Sequence, residues 1–158
     1  MLNSIQFNNR ALYFVVLSGA ISLVYISLGP GLFNKVSIPF ISWQFQFFEL
    51  LCHQDTARSF TINGEQMAVC SRCLGIYTSF LIGILVMPFF ALFRQIKYRY
   101  YFRFLITTII LNLVDVIGNF INIWTNTNIS RFLLGILFGL SVAMLLSNDF
   151  FKKLTKED

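Results

Sequence analysis

The stretch "LGIYTSFLIGILVMPFFALF", residues 74–93, runs for twenty residues without an acidic or basic side chain. An α-helix rises about 1.5 Å per residue, so about twenty apolar residues cross a hydrocarbon core of about 30 Å. The stretch therefore predicts a transmembrane helix, and the rest of the chain can be interpreted outward from it.

Three further apolar segments accompany this one, separated by polar or charged connections: residues 11–29, 101–123 and 132–146. Only 12% of the 158 residues are charged, whereas soluble domains carry about 25%, and the mean hydropathy is +0.70. The four segments predict one all-α domain over residues 1–158, a four-helix transmembrane bundle. No small-residue cleavage site follows the first segment, so we expect a retained helix and not a removed signal peptide.

Basic residues are divided unevenly between the two predicted membrane faces. With four spans, both termini and the 94–103 connection share one face, which holds eight Lys and Arg residues against four on the other. The eight are Arg10, Arg94, Lys97, Arg99, Arg103, Lys152, Lys153 and Lys156, and the four are Lys35, Arg58, Arg72 and Arg131. Because Lys and Arg accumulate on the cytoplasmic side, we expect both termini in the cytoplasm. The net charge of +5 is thus better explained by topology than by nucleic-acid binding, and the expected partner is the lipid bilayer.

The loop between the first two spans, residues 34–72, is predicted to be extracytoplasmic and ordered. Its aromatic run at 43–48 is too apolar to stay in water, and it favours a short helix lying at the membrane interface. The pair Asn63-Gly64 is typical of a tight turn that returns the chain to the membrane.

All three cysteines and the single histidine of the chain lie within residues 49–77. Cys70 and Cys73 form a C-x₂-C pair at the start of the second span, and Cys52 and His53 precede it. Three sulfurs and one imidazole are the ligand set of a closed Cys₃His zinc site. Adjacent residues seldom bind one ion together, so binding by only Cys52 or His53 would leave an open position, which catalytic zinc sites require.

Four polar residues follow one face of the third predicted span at spacings of 3, 4 and 3: Asn112, Asp115, Asn119 and Asn122. A carboxylate at membrane depth costs several kcal/mol unless it has a partner. Arg58, Arg72 and Arg131 are candidate partners, and Tyr77 lies one turn into the second span, facing the same interior. These side chains predict a polar pocket that opens outward beneath the cysteine loop.

If the site is catalytic, the metal would activate water or polarise a carbonyl or phosphoryl group. Asp115 would then act as general base or as counter-charge to Arg131. Arg58 and Arg72 would suit an anionic lipid or a phosphate-bearing substrate, entering laterally from the outer leaflet.

Two other functions fit the same residues. In a thiol–disulfide oxidoreductase, Cys70 and Cys73 would exchange electrons with a quinone, since a thiol at a helix N-terminus has a lowered pKa. The odd cysteine count and the presence of His53 and Asp115 fit that function less well. In a non-catalytic structural or transport protein, zinc would only clamp the loop.

The stretch "CHQDTARSFTINGEQMAVCSRCLGIY", residues 52–77, resembles the C-H-Q…R-S-F…G…V-C-x-R-C-x-G-I-Y pattern of a family of small prokaryotic integral membrane proteins of uncharacterised function. That family tends to show Asp-Gly in its third span, where this chain has Asp115-Val116, and residues 125–139 fit a second family run loosely. The resemblance covers residues 45–140 approximately and implies a prokaryotic cytoplasmic membrane, but no reaction. The site it implies comprises Cys52, His53, Gln54, Arg58, Cys70, Arg72, Cys73, Tyr77, Asp115, Asn128 and Arg131.

Overall fold

Four long apolar helices build the fold in the computed structural model, which describes residues 5–7, 9–33, 42–93 and 98–153. The long helices are α1 (Arg10–Ser27), α3 (Ser71–Phe93), α4 (Tyr98–Phe120) and α5 (Asn128–Phe150), and the short α2 spans Ser42–Phe48. The strands are β1 (Ile5–Phe7), β2 (Thr61–Ile62), β3 (Glu65–Gln66) and β4 (Phe151–Lys153). Each long helix contains a window long and apolar enough to cross a membrane. The prediction of an all-α four-helix bundle is confirmed.

The turn between α4 and α5 differs from the sequence prediction. Helix α4 ends at Phe120 in a Schellman motif, in which Asn122 takes a left-handed φ of 56° and the Ile123 N–H donates to the Gly118 carbonyl at 2.9 Å. Asn122 therefore lies beyond the helix and not on its polar face. Helix α5 begins at Asn128, four residues before the predicted span, because Thr127 caps it by accepting a bond from the Ser130 N–H at 3.1 Å.

Helices α3 and α5 run parallel and in direct contact through their small residues. A Cβ on Gly135 would overlap the Arg72 carbonyl oxygen, and one on Gly139 would overlap the carbonyl oxygen of Ile76. Without a hydrophobic driving force between helices in lipid, such close backbone approach supplies the packing energy. The pair fixes the N-terminal ends of both helices beside each other, which is where the site lies.

The first and last strands of the described chain, β1 and β4, lie at the opposite end of the bundle. Strands β1 and β4 pair antiparallel, with Ile5 opposite Lys153. Nearby, the Tyr13 hydroxyl donates to the Ile84 carbonyl at 3.1 Å and its ring meets Phe150 edge-on. The termini thus share one face, as four spans require. The assignment of that face to the cytoplasm stays a prediction, and Lys35, Arg94, Lys97 and Lys156 of the charge count lie outside the described residues.

The described part of the loop, residues 42–70, is ordered by hydrogen bonds that a sequence pattern does not reveal. Strands β2 and β3 form a hairpin whose turn residues Asn63 and Gly64 have φ values of 53° and 85°, as the predicted tight turn requires. The Asn63 amide donates to the Gly31 carbonyl at 2.9 Å and so ties the hairpin to the 3₁₀ turn Pro30–Phe33 that follows α1. The Gln54 amide donates to the Phe45 carbonyl at 2.6 Å. Residues 34–41 of the predicted loop lie outside the described residues.

Candidate functional site

The three cysteine sulfurs converge at the N-terminal end of α3. The Sγ atoms of Cys52, Cys70 and Cys73 all lie within 4.8 Å of one another, and those of Cys70 and Cys73 are 3.5 Å apart. Cys52 is held in place from α2, because its N–H donates to the Phe48 carbonyl at 2.8 Å. Three thiolates bound at about 2.3 Å to one tetrahedral zinc ion lie about 3.8 Å apart. The cluster could therefore hold a metal ion with only a small contraction.

The surroundings of Cys52 favour the anionic, metal-binding form of its sulfur. The backbone N–H of Cys70 donates to the Cys52 sulfur at 3.2 Å, and the N-terminus of α3 carries a partial positive charge. Hydrogen bonds from the Cys70 and Cys73 thiols lower the pKa of the Cys52 thiol below its ordinary value, and burial opposes them more weakly. Cys52 is therefore disposed to be a thiolate at neutral pH, the form that binds metals.

An apolar shell surrounds the sulfurs. Phe48, fully buried, stacks on Tyr77 with ring centroids 5.7 Å apart, and Leu74 belongs to the same buried group. Tyr77 thus lies beside the cysteines, as the sequence predicts, and its ring closes one side of the cluster. Such a shell limits water access and strengthens the electrostatic interactions of a bound ion.

His53 lies apart from the sulfurs. Its side chain is exposed, and it does not belong to the group of atoms within 4.8 Å. The chain leaves α2 through a turn at residues 49–51 and changes direction again at Gln54, which has a φ of 50°. With Cys52 directed inward, His53 is directed outward. Its role as a ligand stays a prediction.

Asp115 forms an ion pair with Arg72, one of its three predicted partners. The two side chains are only 14% and 23% exposed, respectively, and the Asn126 amide donates to the same carboxylate oxygen at 2.7 Å. Because Arg72 stands between Cys70 and Cys73 in the chain, this pair joins the polar pocket to the sulfur cluster. Sequence reasoning missed Asn126, whose only signal is its place in the polar run 125–128.

The other two arginines near this ion pair differ in whether they form an ion pair of their own. Arg58 pairs with Asp55 at 3.1 Å on the exposed side of the loop. Arg131 interacts electrostatically with both of these charges and with Arg72 and Asp115, but it forms no ion pair within the part of the chain that the structure describes. Of the three candidate partners, Arg72 is the one that pairs with Asp115, and the role of Asp115 as counter-charge to Arg131 stays a prediction.

Two other predicted residues connect helices. The Asn112 amide donates to the Leu134 carbonyl of α5 at 3.3 Å, and the Asn128 amide donates to the Ser59 carbonyl of the loop at 3.3 Å. Asn119 accepts a bond from the Asn126 N–H at 3.0 Å and supports the turn after α4. These asparagines hold the frame of the pocket.

Four apolar helices, with a cysteine cluster at one end, define a small multi-span membrane protein with a candidate metal-binding group. The family model described as "Predicted membrane protein (DUF2085)" matches residues 52–145. The chain belongs to this family, and the resemblance to an uncharacterised prokaryotic membrane family is confirmed. The matched range includes every cysteine, Asp115 and Arg131.

Two relatives come from archaea and are named only as uncharacterized proteins. One, from Methanocaldococcus jannaschii, is 36% identical over 112 residues, which is 70% of each chain. The other, from Methanothermobacter thermautotrophicus, is 31% identical over 105 residues, 62% of this chain and 86% of the relative. No solved structure matches the chain.

Proposed function

We propose that the protein binds one zinc ion through Cys52, Cys70 and Cys73 on the extracytoplasmic side of the membrane, and that the site acts on a lipid or another phosphate-bearing substrate. The observation that carries this proposal is the convergence of three sulfurs within 4.8 Å at a helix N-terminus. Three protein ligands leave a fourth position for water or substrate, the arrangement of catalytic zinc sites.

The chemistry follows from the residues around that fourth position. A zinc ion held there would polarise a phosphoryl or carbonyl oxygen or lower the pKa of bound water. Asp115, held in place by Arg72 and Asn126, would accept a proton from the attacking group. Tyr77 would limit water access from the side of the helix bundle.

The proposed substrate class depends on where the loop lies. The side chains of Trp43, Phe47 and Leu51 are apolar and exposed, and Trp is enriched at the boundary between headgroups and hydrocarbon. A loop that rests on this boundary places the cysteine cluster at headgroup depth. A lipid reaching the site laterally would present its polar end first.

Metal analysis tests the zinc site directly. Purified wild-type protein should carry about one zinc ion per chain, and Cys70→Ser and Cys73→Ser should lose it, because each removes one of three ligands. Ser71→Ala is the matched control, since it changes one of the two residues between them and should keep the metal. Wild-type protein that carries no zinc after purification in zinc-containing buffer would refute the proposal.

Activity separates a catalytic site from a structural clamp. Asp115→Asn and Arg131→Ala should abolish or strongly reduce turnover of phosphate-bearing lipids while the zinc content is kept. If both variants keep every measurable function and Cys73→Ser only unfolds the protein, zinc acts as a clamp that orders the loop.

A second candidate is a thiol oxidoreductase, favoured by the 3.5 Å separation of the Cys70 and Cys73 sulfurs. In that reaction the two thiols would form a disulfide, giving two electrons and two protons to a quinone, which becomes a quinol. Metal-free protein whose Cys70 and Cys73 thiols are oxidised to a disulfide by added quinone, with one quinol formed per disulfide, would establish this function in place of the zinc site.

A further inference from the structure

The ion pairs near the site leave one arginine without a counter-charge. Arg58 is matched by Asp55 and Arg72 by Asp115, whereas Arg131 has neither an ion pair nor a side-chain hydrogen bond with any residue that the structure describes. Each of these four charged side chains interacts electrostatically with Arg131. The group formed by Arg58, Arg72 and Arg131, here called the arginine cluster, thus carries one positive charge in excess.

Two buried polar atoms in the same region also lack partners. The Nε atom of Arg72 and the Oδ1 atom of Asn128 are inaccessible to solvent and form no hydrogen bond within the described part of the chain. Buried polar atoms in native proteins are nearly always bonded, so each orphan atom indicates a missing partner. One orphan is a cationic donor and the other is a neutral acceptor.

We propose that the arginine cluster binds a phosphate group. Arg131 supplies the unmatched charge and donates to the phosphate oxygens. The Arg72 and Asn128 side chains reorient on binding and bring their unpartnered Nε–H donor and Oδ1 acceptor to the ligand. Guanidinium groups suit phosphate because their planar donors match its oxygens, and these charge-assisted bonds are stronger than neutral ones. Arg58 lies at the exposed rim, where it attracts the anion.

This site deepens the proposed function by naming the group that its substrate presents, and it rests on that function only for the reaction. Since Arg72 lies between two of the proposed metal ligands in sequence, a bound phosphate would lie beside the sulfur cluster. Binding itself requires no metal, so the phosphate site and the zinc site can fail independently.

Phosphate binding can be measured with two probes on the purified full-length protein. Calorimetric titration with inorganic phosphate tests for a free anion. Nanodiscs that contain equal amounts of phosphatidylglycerol and phosphatidylcholine, analysed for the lipid that copurifies, test for an anionic headgroup. Binding of inorganic phosphate without lipid enrichment assigns the site to a soluble phosphate, and enrichment of phosphatidylglycerol assigns it to a lipid.

Substitution of Arg131 is the decisive comparison. Arg131→Gln should weaken binding of whichever probe the wild type binds by tenfold or more, and Arg131→Lys should restore part of it. Arg103→Gln removes an exposed arginine at the other end of α4 and should leave binding unchanged. The lysine variant also shows that loss of binding is not loss of folding.

Two outcomes would overturn the inference. Either the wild type binds neither probe, or Arg131→Gln binds as tightly as Arg103→Gln, in which case Arg131 merely extends toward the headgroups. Zinc content is measured on the same samples. Phosphate binding without zinc would refute the proposed zinc function and support this phosphate site. Zinc binding without phosphate binding would support the zinc site and refute this inference.

Discussion

Arg72 connects the two parts of the site, because its backbone belongs to the cysteine motif and its side chain holds Asp115. A carboxylate in a membrane helix is tolerated when it is paired and bonded, and Asp115 has both an arginine and the Asn126 amide as partners. Loss of either charge would leave the other buried and unpaired.

This pairing predicts strong coupling between the two residues. Arg72→Gln should destabilise the protein by about 3 kcal/mol, because removing one partner of a buried pair leaves an uncompensated charge. Asp115→Asn should cost a comparable amount, and the double variant should cost clearly less than the sum. Chemical unfolding in detergent measures all four proteins, and additive effects would contradict the ion pair.

The position of His53 predicts that its substitution reduces zinc binding less than substitution of a cysteine does. His53→Ala should keep about one zinc ion per chain, because the three sulfurs supply enough ligands for a site with an open position. Metal analysis beside Cys73→Ser checks this. Equal loss of zinc in both variants would show that the loop rearranges to bring the imidazole to the ion.

The sequence could predict the cysteine cluster but not every contact within the pocket. The C-x₂-C spacing at a helix start already implies that two sulfurs lie close together. Three arginines at one end of the bundle are equivalent in the sequence, so the choice of Arg72 for Asp115 depends on helix rotation. Asn126 lies in a turn, where no periodicity indicates where a side chain points.

At the level of the helices, α3 and α5 meet through glycine, and this contact positions the site. A methyl group at Gly139 would overlap the backbone of α3, whereas a methyl group at Gly19 of α1 would meet nothing within 4 Å. The two glycines therefore form a matched pair for testing the contact.

Gly139→Ala should destabilise the bundle by about 1–3 kcal/mol, the typical cost of overpacking. Gly19→Ala should be neutral or stabilising by up to about 1 kcal/mol, because alanine is the better helix former. Thermal unfolding of both variants in the same detergent makes the comparison. Equal stability of the two would contradict close packing at Gly139.

The presence of the four long helices could be predicted from composition, but the residues at which they begin and end could not. Apolar length identifies each span because lipid requires it. Asn122 fits the helical spacing of Asn112, Asp115 and Asn119, yet it takes a left-handed conformation that asparagine tolerates well. The start of α5 was missed because three of its first four residues, Asn128, Ser130 and Arg131, are polar, as residues in helix N-terminal turns commonly are.

For the molecule as a whole, the pairing of β1 with β4 could not be predicted. Strands of three residues separated by nearly the whole chain carry no local signal. In the sequence, Lys152 and Lys153 indicate only the membrane topology. The four spans require that the two ends share a face, but they do not require hydrogen bonds between those ends.

The charge distribution predicts the orientation of the whole molecule. In bacterial cells, green fluorescent protein fused after Asp158 should fluoresce, and alkaline phosphatase at the same position should be inactive. We expect this because the face with more Lys and Arg residues stays in the cytoplasm. Alkaline phosphatase inserted between Asn63 and Gly64 should be active. The reverse pattern would invert the proposed membrane sidedness of the zinc site.

The ribbon of β1 and β4 also has a consequence for biosynthesis. Ile5–Phe7 leave the ribosome before α1, and Phe151–Lys153 leave after α5, so β1 has no strand partner until the four long helices have been synthesised. Until then its backbone donors and acceptors are unpaired, an open edge that other chains can join. Pairing of β1 with β4 therefore protects this edge only after the four long helices of a newly made copy have been inserted.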